Sequence, residues 1–282
     1  MQSTEPNNYE LTEAARFGLQ YAREQLAGKS ILVLTGAGVS TESGIPDYRG
    51  EGKTEKHPMT FDLFMGQAEA RQRYWARSYV GWSVIANAKP NQGHFSLARA
   101  ESLGKVVHLI TQNVDALHQQ AGSKSVTDLH GRLDRVVCMN CRLVLDRSEM
   151  DLLLESLNPE ISKDQNVVFT PDGDAEIEIT KDFIVADCPK CQGILKPDVV
   201  FFGETVPQER VLSSMQQLEN AGALLVAGSS LAVNSGMRFA RKAKTLGKPI
   251  VIINMGPTKA DDIAIAKIQA QTSTALEELL ID

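Results

Sequence analysis

Aromatic residues are scarce in this chain: nine Phe, five Tyr and two Trp make up only 6% of its 282 residues. No apolar run approaches the ~20 residues of a membrane-spanning helix, and the best candidate, 221–237, is broken by glycines, serines and Asn234. A helical membrane protein is therefore excluded. A basic excess is also missing, because 29 Lys and Arg face 35 Asp and Glu for a net charge of −6. Without a global positive field to hold a polyanion, nucleic acid is not an expected partner. The first thirty residues carry Glu5, Glu10, Glu13 and Glu24 and no apolar block, so neither a secretory signal nor an Arg-rich transit peptide is visible. The expectation is a cytoplasmic location, and the N-terminus does not support a mitochondrial one. Internal repeats and low-complexity tracts are absent too.

What is present is the profile of a soluble globular protein, 43% hydrophobic and 23% charged. At roughly 100–200 residues per domain, the length suits one large domain carrying a smaller insert. The acidity is concentrated. Residues 142–187 hold twelve acidic against four basic side chains, a balance of −8, which leaves the rest of the chain at about +2.

Leu11, Ala15, Leu19, Ala22 and Leu26 recur three or four apart and stop at Gly28, which predicts an amphipathic helix over 11–27. The apolar run Ile31-Leu32-Val33-Leu34 follows and reads as a buried strand, as do Val106–Ile110, Ala223–Ala227 and Ile250–Ile253. Helical stretches over Phe61–Ala88, Phe95–Leu103 and Gly236–Leu246 lie between them. Strands alternating with helices predict an α/β fold with a parallel sheet.

All four cysteines fall in two C-x-x-C pairs, Cys138/Cys141 and Cys188/Cys191, with 46 residues between the pairs. This spacing lets four thiolates converge on one zinc ion, and we favour that over two redox pairs or disulfides because an intracellular chain keeps its thiols reduced. Four protein thiolates fill a tetrahedral shell and leave no position for water or substrate, so the metal is expected to be structural. The separation implies a small second domain with an inserted segment, in which Pro171-Asp172-Gly173 reads as a turn.

Three further stretches carry chemistry. Directly after the first strand, Gly36-Ala37-Gly38-Val39-Ser40 and then Gly44-Ile45-Pro46-Asp47-Tyr48-Arg49 form a glycine-rich turn of the kind that lets backbone approach a pyrophosphate. Thr41 stands where a third glycine would be, and no acidic residue follows about 20 positions later, so the layout of a hydride-transferring dehydrogenase is not expected. The second stretch, Thr111-Gln112-Asn113-Val114-Asp115, leaves the strand Val106–Ile110 at its carboxyl end, where ligand crevices of parallel sheets lie. An Asx turn capping a helix near Asp115 would explain that residue but not Gln112. His130-Gly131 then sits between the large domain and the cysteines, and a lone histidine of this kind is more often structural. Among the other histidines, His108 is placed inside a strand, His57 in a loop, and His94 and His118 at or within helices. The third stretch, 196–204, reads either as an ordinary strand returning to the large domain or as an edge that accepts an extended peptide. Composition does not decide between the two.

In order along the chain, GAGVS (36–40), GIPDYR (44–49), TQNVD (111–115), His130-Gly131, the two C-x-x-C pairs, KPDVVFFGE (196–204), GSSL (228–231) and Ile253-Asn254 resemble the motif set of the sirtuins, over about residues 28–282. The stretches RQRYWAR (71–77), PDG (171–173) and IINMGPT (252–258) are similar to the class II branch.

The resemblance implies an NAD-consuming protein-lysine deacylase with a Rossmann-like large domain over 29–130 and 196–282. A zinc-bearing small domain would occupy 131–195, and residues 1–28 would add a helix packed on the large domain. Gly36, Ala37, Gly38, Ser40, Asp47, Tyr48 and Arg49 would line the cofactor turn. Gln112, Asn113 and Asp115 would hold the nicotinamide and its ribose, the last two with a catalytic share. Gly228, Ser229, Ser230, Asn254, Met255, Gly256 and Thr272 would contact the phosphate and adenosine end, while Val200, Phe202 and Gly203 would line the acyl-lysine channel. His130 would be the general base, an imidazole whose pKa near operating pH suits it to take a proton from a ribose hydroxyl. The products would be nicotinamide, 2′-O-acyl-ADP-ribose and free lysine. A monomer acting on acylated proteins or peptides is expected. Two readings compete with this one: a mono-ADP-ribosyltransferase or NAD glycohydrolase on the same scaffold, and a catalytically silent dinucleotide-binding module. Tyr48 replaces the Phe of many members, and Asn234-Ser235 stands where a proline-containing turn is frequent. The acidic insert 142–187 is long enough to reach the mouth of the site and is expected to help choose the acyl group.

Overall fold

The computed structural model describes residues 10–47, 59–162 and 182–281. Tyr48, Arg49, His57 and the expected turn at 171–173 lie outside the described residues, as does most of the central part of the acidic insert.

The chain opens with α1 (Glu13–Leu26), whose first turn is capped by Thr12, its hydroxyl oxygen accepting the Ala15 amide. Next comes β1 (Ile31–Thr35), buried at every position. The continuous helix predicted over 61–88 is two helices, α2 (Phe61–Gly66) and α3 (Ala68–Asn87). They are separated by Gln67, which adopts extended dihedrals directly after Gly66. There follow α4 (Gln92–Ser102), β2 (Val106–Thr111), the single turn α5 (Leu117–Gln120) and β3 (Val126–Asp128). A small antiparallel sheet is then built from β4 (Gly131–Cys138), β5 (Val144–Asp146) and β6 (Leu195–Val199), with α6 (Arg147–Leu157) after β5. The chain finishes with α7 (Gln208–Asn220), β7 (Ala223–Ala227), α8 (Asn234–Thr245), β8 (Ile250–Ile253), β9 (Ala266–Ile268) and α9 (Thr272–Leu280).

The large sheet has the order β3-β2-β1-β7-β8-β9, and all its pairings are parallel. Alternation along β1 divides the core. Ile31 and Val33 join a cluster with Leu19 of α1, Leu97 of α4 and Leu276 of α9, while Leu32 and Leu34 face Leu218 of α7 and Phe239 of α8. Burial on both faces is why these strands read as unbroken apolar runs. From β1 the chain moves to one side through β2 and β3, then returns to the other side through β7, β8 and β9. The carboxyl ends of β1, β2 and β7 therefore meet at a reversal of strand order, where such sheets open a crevice.

The second core lies under the small sheet and gathers Phe64, Tyr74, Trp75, Leu133, Met150, Leu154, Phe183 and Phe201. Arg147 is a fully buried cation within it. It pairs with Asp151, donates to the Ser78 carbonyl at 3.1 Å, and its guanidinium lies 5.6 Å from the Trp75 ring and 5.0 Å from that of Trp82. An uncompensated charge there would cost several kcal/mol, so the carboxylate and the aromatic faces make the burial tolerable. β6 pairs antiparallel with β4, Cys138 opposite Leu195. The stretch from 196 does not return at once to the large sheet: its first part is an edge strand of the small sheet, paired with β4 on one side only among the described residues. Among the described residues no helix is long and apolar enough to cross a membrane.

Candidate active site

The glycine-rich turn leaves β1 against the loop after β7. The Gly36 amide donates to the Ala227 carbonyl at 3.1 Å and the Gly38 amide to the Gly228 carbonyl at 2.9 Å. A Cβ on Gly38 would lie 2.9 Å from the Gly228 Cα, and one on Gly228, where φ is +62°, would lie 2.5 Å from the Val39 nitrogen. Neither position accommodates a side chain. The two loops are thus locked together, and Thr272, at the start of α9, ties them to the C-terminal helix by donating to the Gly38 carbonyl at 3.0 Å.

Behind the turn lies a buried polar layer. Ser40 donates to Asp115 Oδ2 at 2.7 Å and accepts from Asn113 Nδ2 at 3.0 Å, while Asn113 Nδ2 also reaches the Gly36 carbonyl at 3.2 Å. Asp115 Oδ1 accepts the Leu117 amide at 3.0 Å. The Asx turn expected at Asp115 is therefore real, and the helix it precedes begins at Leu117 after Ala116, whose φ is +62°. Burial raises the Asp115 pKa above the usual carboxylate range, opposed by its bonds from Leu117 and Ser40.

Two histidines complete this layer. His94 lies 3.5 Å from the Ser40 hydroxyl and caps α4 together with Asn91, and His118 lies 2.9 Å from the Thr35 hydroxyl. Their rings are 4.8 Å apart. Burial lowers the His94 pKa to about 4 and pushes that of His118 well below the ordinary value. Sequence reading placed both on helices without assigning them a task. The usable signal was Asn91 three residues before His94, a capping-box spacing directly after Pro90.

His130 stands at the junction of the two sheets. Its Nδ1 lies 3.0 Å from the Gln112 carbonyl, which can only accept, so Nδ1 carries the proton and Nε2 presents its lone pair to the Ser235 hydroxyl at 2.9 Å. Burial lowers the His130 pKa, the bond to the Gln112 carbonyl raises it, and the positive charge of Arg210 lowers it. The imidazole is held neutral, as a proton acceptor must be. Gln112 is fixed by Ser229, which donates to its Oε1 at 2.6 Å, and its amide packs so close to Gly236 that a Cβ there would lie 2.7 Å away.

The remaining predicted residues distribute around this centre. Val200 donates its amide to the His130 carbonyl at 2.8 Å, which connects the 200–203 segment to the imidazole. Phe202 is half exposed and bridges Thr60, and Gly203 follows with φ of +80°. Asn254 leaves β8 two strands from β1, donating to the Gly256 carbonyl at 2.9 Å, while Met255 is exposed. The Ser230 carbonyl accepts the Lys259 amide at 3.0 Å. Ala37 lies in a single 3₁₀ turn over Ala37–Val39, and Asp47 is the last described residue of its segment. The structure thus gathers His130, Gln112, Asn113, Asp115, Ser40 and the glycine loops at one end of the parallel sheet. Asn254 marks a second end, roughly 10 Å across the strands. Carboxylate, amides and hydroxyls between close-approach glycines fit a dinucleotide laid over those strand ends.

The four cysteine sulfurs lie within 4.8 Å of one another, Cys138 to Cys191 at 3.5 Å and Cys141 to Cys188 at 3.7 Å. Zn–S bonds of about 2.3 Å in a tetrahedron place sulfurs about 3.8 Å apart, so the set fits zinc. The two knuckles repeat one design. Arg142 and Gln192, each just past its second cysteine, have φ of +62° and +58°, and their amides return to the Cys138 and Cys188 carbonyls at 3.1 and 2.9 Å. The sulfurs sit at the far end of β4 from His130, roughly 23 Å along seven strand residues. A metal there would lie a whole strand away from the imidazole.

Fold and site together define a dinucleotide-binding α/β enzyme with a structural zinc module. The sequence model of the Sir2 family matches residues 36–235, and the chain belongs to that family. It is 50% identical over 250 residues to an NAD-dependent protein deacetylase of Xanthomonas campestris, covering 87% of this chain and 85% of that one. It is also 50% identical over 267 residues to one from Bordetella bronchiseptica, covering 93% and 97%. Among solved structures it is similar to a Sir2 with a p53 peptide and NAD+, at a TM-score of 0.75 and 29% identity over 93% of this chain and 96% of that one.

Proposed function

We propose that this protein is an NAD-dependent protein-lysine deacylase in which His130 is the general base. The observation that carries the reading is the orientation of that imidazole. Its Nδ1–H is spent on the Gln112 carbonyl, so the basic lone pair lies on Nε2, and the residue that fixes it leads directly along the chain into Asn113 and Asp115. NAD supplies an electrophilic ribose carbon and a leaving group that departs neutral.

The chain's own contribution is placement. An acyl amide oxygen is a weak nucleophile, and holding it in line with the reacting carbon is what makes the step feasible. The 200–203 segment, tethered to the His130 carbonyl through Val200, lines the acyl-lysine approach. Asn113 and Asp115 hold the nicotinamide ribose, with Ser40 fixing both. Gly36, Gly38 and Gly228 bring backbone to the pyrophosphate, and Ser229, Asn254 and Thr272 serve the adenosine side. His130 Nε2 is the final acceptor of the proton that a ribose hydroxyl gives up as it attacks the acyl carbon. One zinc held by Cys138, Cys141, Cys188 and Cys191 maintains the small sheet. The reading extends to a cytoplasmic monomer acting on acylated proteins or peptides, with no nucleic-acid partner.

The test is a panel of acyl-lysine peptides of varied chain length and charge, incubated with NAD and followed by mass spectrometry. Nicotinamide and deacylated peptide should appear together and in equal amounts. Nicotinamide release at the same rate without any acylated peptide would replace this reading with an NAD glycohydrolase.

A further inference from the structure

The lone pair that makes His130 a base is not open to substrate: the Ser235 hydroxyl fills it at 2.9 Å. A neutral imidazole has one such lone pair once Nδ1–H is committed, so a ribose hydroxyl that gives up its proton must either evict Ser235 or pass the proton through it. Ser235 lies in the first turn of α8, whose buried side is packed through Met237, Phe239, Ala240 and Ala243. The neighbouring Gly236 is in contact with the Gln112 amide, the same residue whose carbonyl anchors Nδ1. One helix end therefore sets both nitrogens of the imidazole, one through Gln112 and the other through Ser235. A hydroxyl is suited to stand between two oxygen or nitrogen atoms, because it donates once and accepts on its remaining lone pairs.

We propose that Ser235 is a proton relay between the ribose hydroxyl and His130. The Ser235 O–H bond breaks as Nε2–H forms, and the ribose O–H bond breaks as a new Ser235 O–H forms. Serine is neutral before and after, the imidazole becomes imidazolium, and the ribose oxygen keeps the electron pair with which it attacks the acyl carbon. The inference rests on His130 being the base. The charge acting on this imidazole comes from other elements: Arg210 of α7, paired at 3.3 Å with Asp198 of β6, which Arg135 of β4 also holds at 3.0 Å. Substitution of Ser235 leaves that charged set in place.

The experiment compares the wild type with Ser235→Ala, Ser235→Thr and His130→Ala, measuring deacylation from acid to alkaline pH, NAD affinity by direct binding, and thermal stability. Ser235→Ala is expected to lower kcat about tenfold, a part of the 10²–10⁴ typical of general-base catalysis, with NAD Kd and peptide KM changed less than about twofold. The acid limb of its pH profile should move to higher pH, because a donor that favoured the neutral ring has been removed. Ser235→Thr, which keeps a hydroxyl, should restore kcat to within about threefold. A Ser235→Ala enzyme as fast as wild type, or faster, overturns the relay. So does a loss of kcat matched by equal losses of NAD affinity and melting temperature, which would mark a structural role. If His130→Ala is inactive while Ser235→Ala is normal, the relay alone is wrong; if His130→Ala retains most activity, the base assignment falls with it.

Discussion

Strand β4 starts beside His130 and ends at Cys138, and its two ends are held in opposite ways. At the start, the imidazole is positioned by neutral hydrogen bonds to Gln112 and Ser235 and by backbone contact so close that Gly131 has no alternative. At the end, four sulfurs converge between two matching knuckles in which every ligand is protein. A group that must gain and lose a proton needs partners that tolerate both states, and neutral donors and acceptors do so. A group that must never change needs a closed shell, and four thiolates around zinc provide one. On the proposed function, the chemistry is thus separated from the fastening by the length of one strand.

The largest effect should follow from opening that closed shell. Structural zinc contributes apparent free energies of about 10–16 kcal/mol in small metallo-domains, so stringent chelation or Cys141→Ser should unfold the small sheet. Hydrogen exchange should show β4, β5 and β6 losing protection together while β1 and β7 keep theirs. Lost activity with β4 to β6 still protected would contradict a purely structural metal. At the other end of the strand, His130→Ala should lower deacylation by at least about 10²-fold with NAD binding largely intact. Near-normal turnover by that variant would remove the distinction between the two ends.

Gly131 gives a sharper contrast within one end. Its φ is +83°, and a Cβ there would lie 1.9 Å from the Asp198 carbonyl oxygen, a backbone atom of β6. Gly203 has nearly the same dihedral, φ +80°, with nothing within 4 Å of its ideal Cβ. Gly203→Ala should cost only the left-handed backbone penalty, about 1–2 kcal/mol. Gly131→Ala adds forced separation of β4 from β6 and should cost about 3 kcal/mol or more, read as the difference in denaturant midpoints. Equal losses at the two positions would mean that the Asp198 contact yields freely.

Much of this was legible in the sequence, and what was not has physical reasons. Four strands of the large sheet were visible because strands buried on both faces leave unbroken apolar runs such as Ile31–Leu34. The zinc set was visible because its ligands are local in sequence. The break at Gln67 was not, since an apolar pattern of helical period continues across it and only Gly66 marks the stop. The pairing of β6 was not, because strand partners depend on contacts between residues 138 and 195 that no local pattern records. In the site, the glycines and the 111–115 amides stood out by type and place. His118 and Ser235 did not, because each lies on a helix in sequence and meets its partner, Thr35 or His130, only across dozens of residues; His94 had a local mark in Asn91 but reaches Ser40 in the same long-range way.

The buried polar layer behind the turn also sets how stability should follow pH. His94 has its pKa lowered to about 4 by burial, against an unfolded value near 6.5. Below about pH 6.5 the unfolded chain binds a proton that the folded chain refuses, so stability is present in full above that value and is lost as pH falls toward 4. For a side chain as buried as His94 the shift corresponds to about 3 kcal/mol, and His118, lowered well below its ordinary value, acts in the same direction. Asp115 and Asp128 oppose this, because burial raises their folded pKa values and favours the protonated, acid-stable form. Their contribution is present below the unfolded carboxylate value and fades as pH rises through the folded one. The two effects overlap above the unfolded carboxylate value, and replacing His94 removes only a histidine contribution. His94→Gln should therefore flatten the rise of unfolding free energy across it relative to wild type, as measured by urea denaturation at half-unit steps. An unchanged slope would show that the imidazole takes up a proton inside the fold and that the layer behind the turn is open to water.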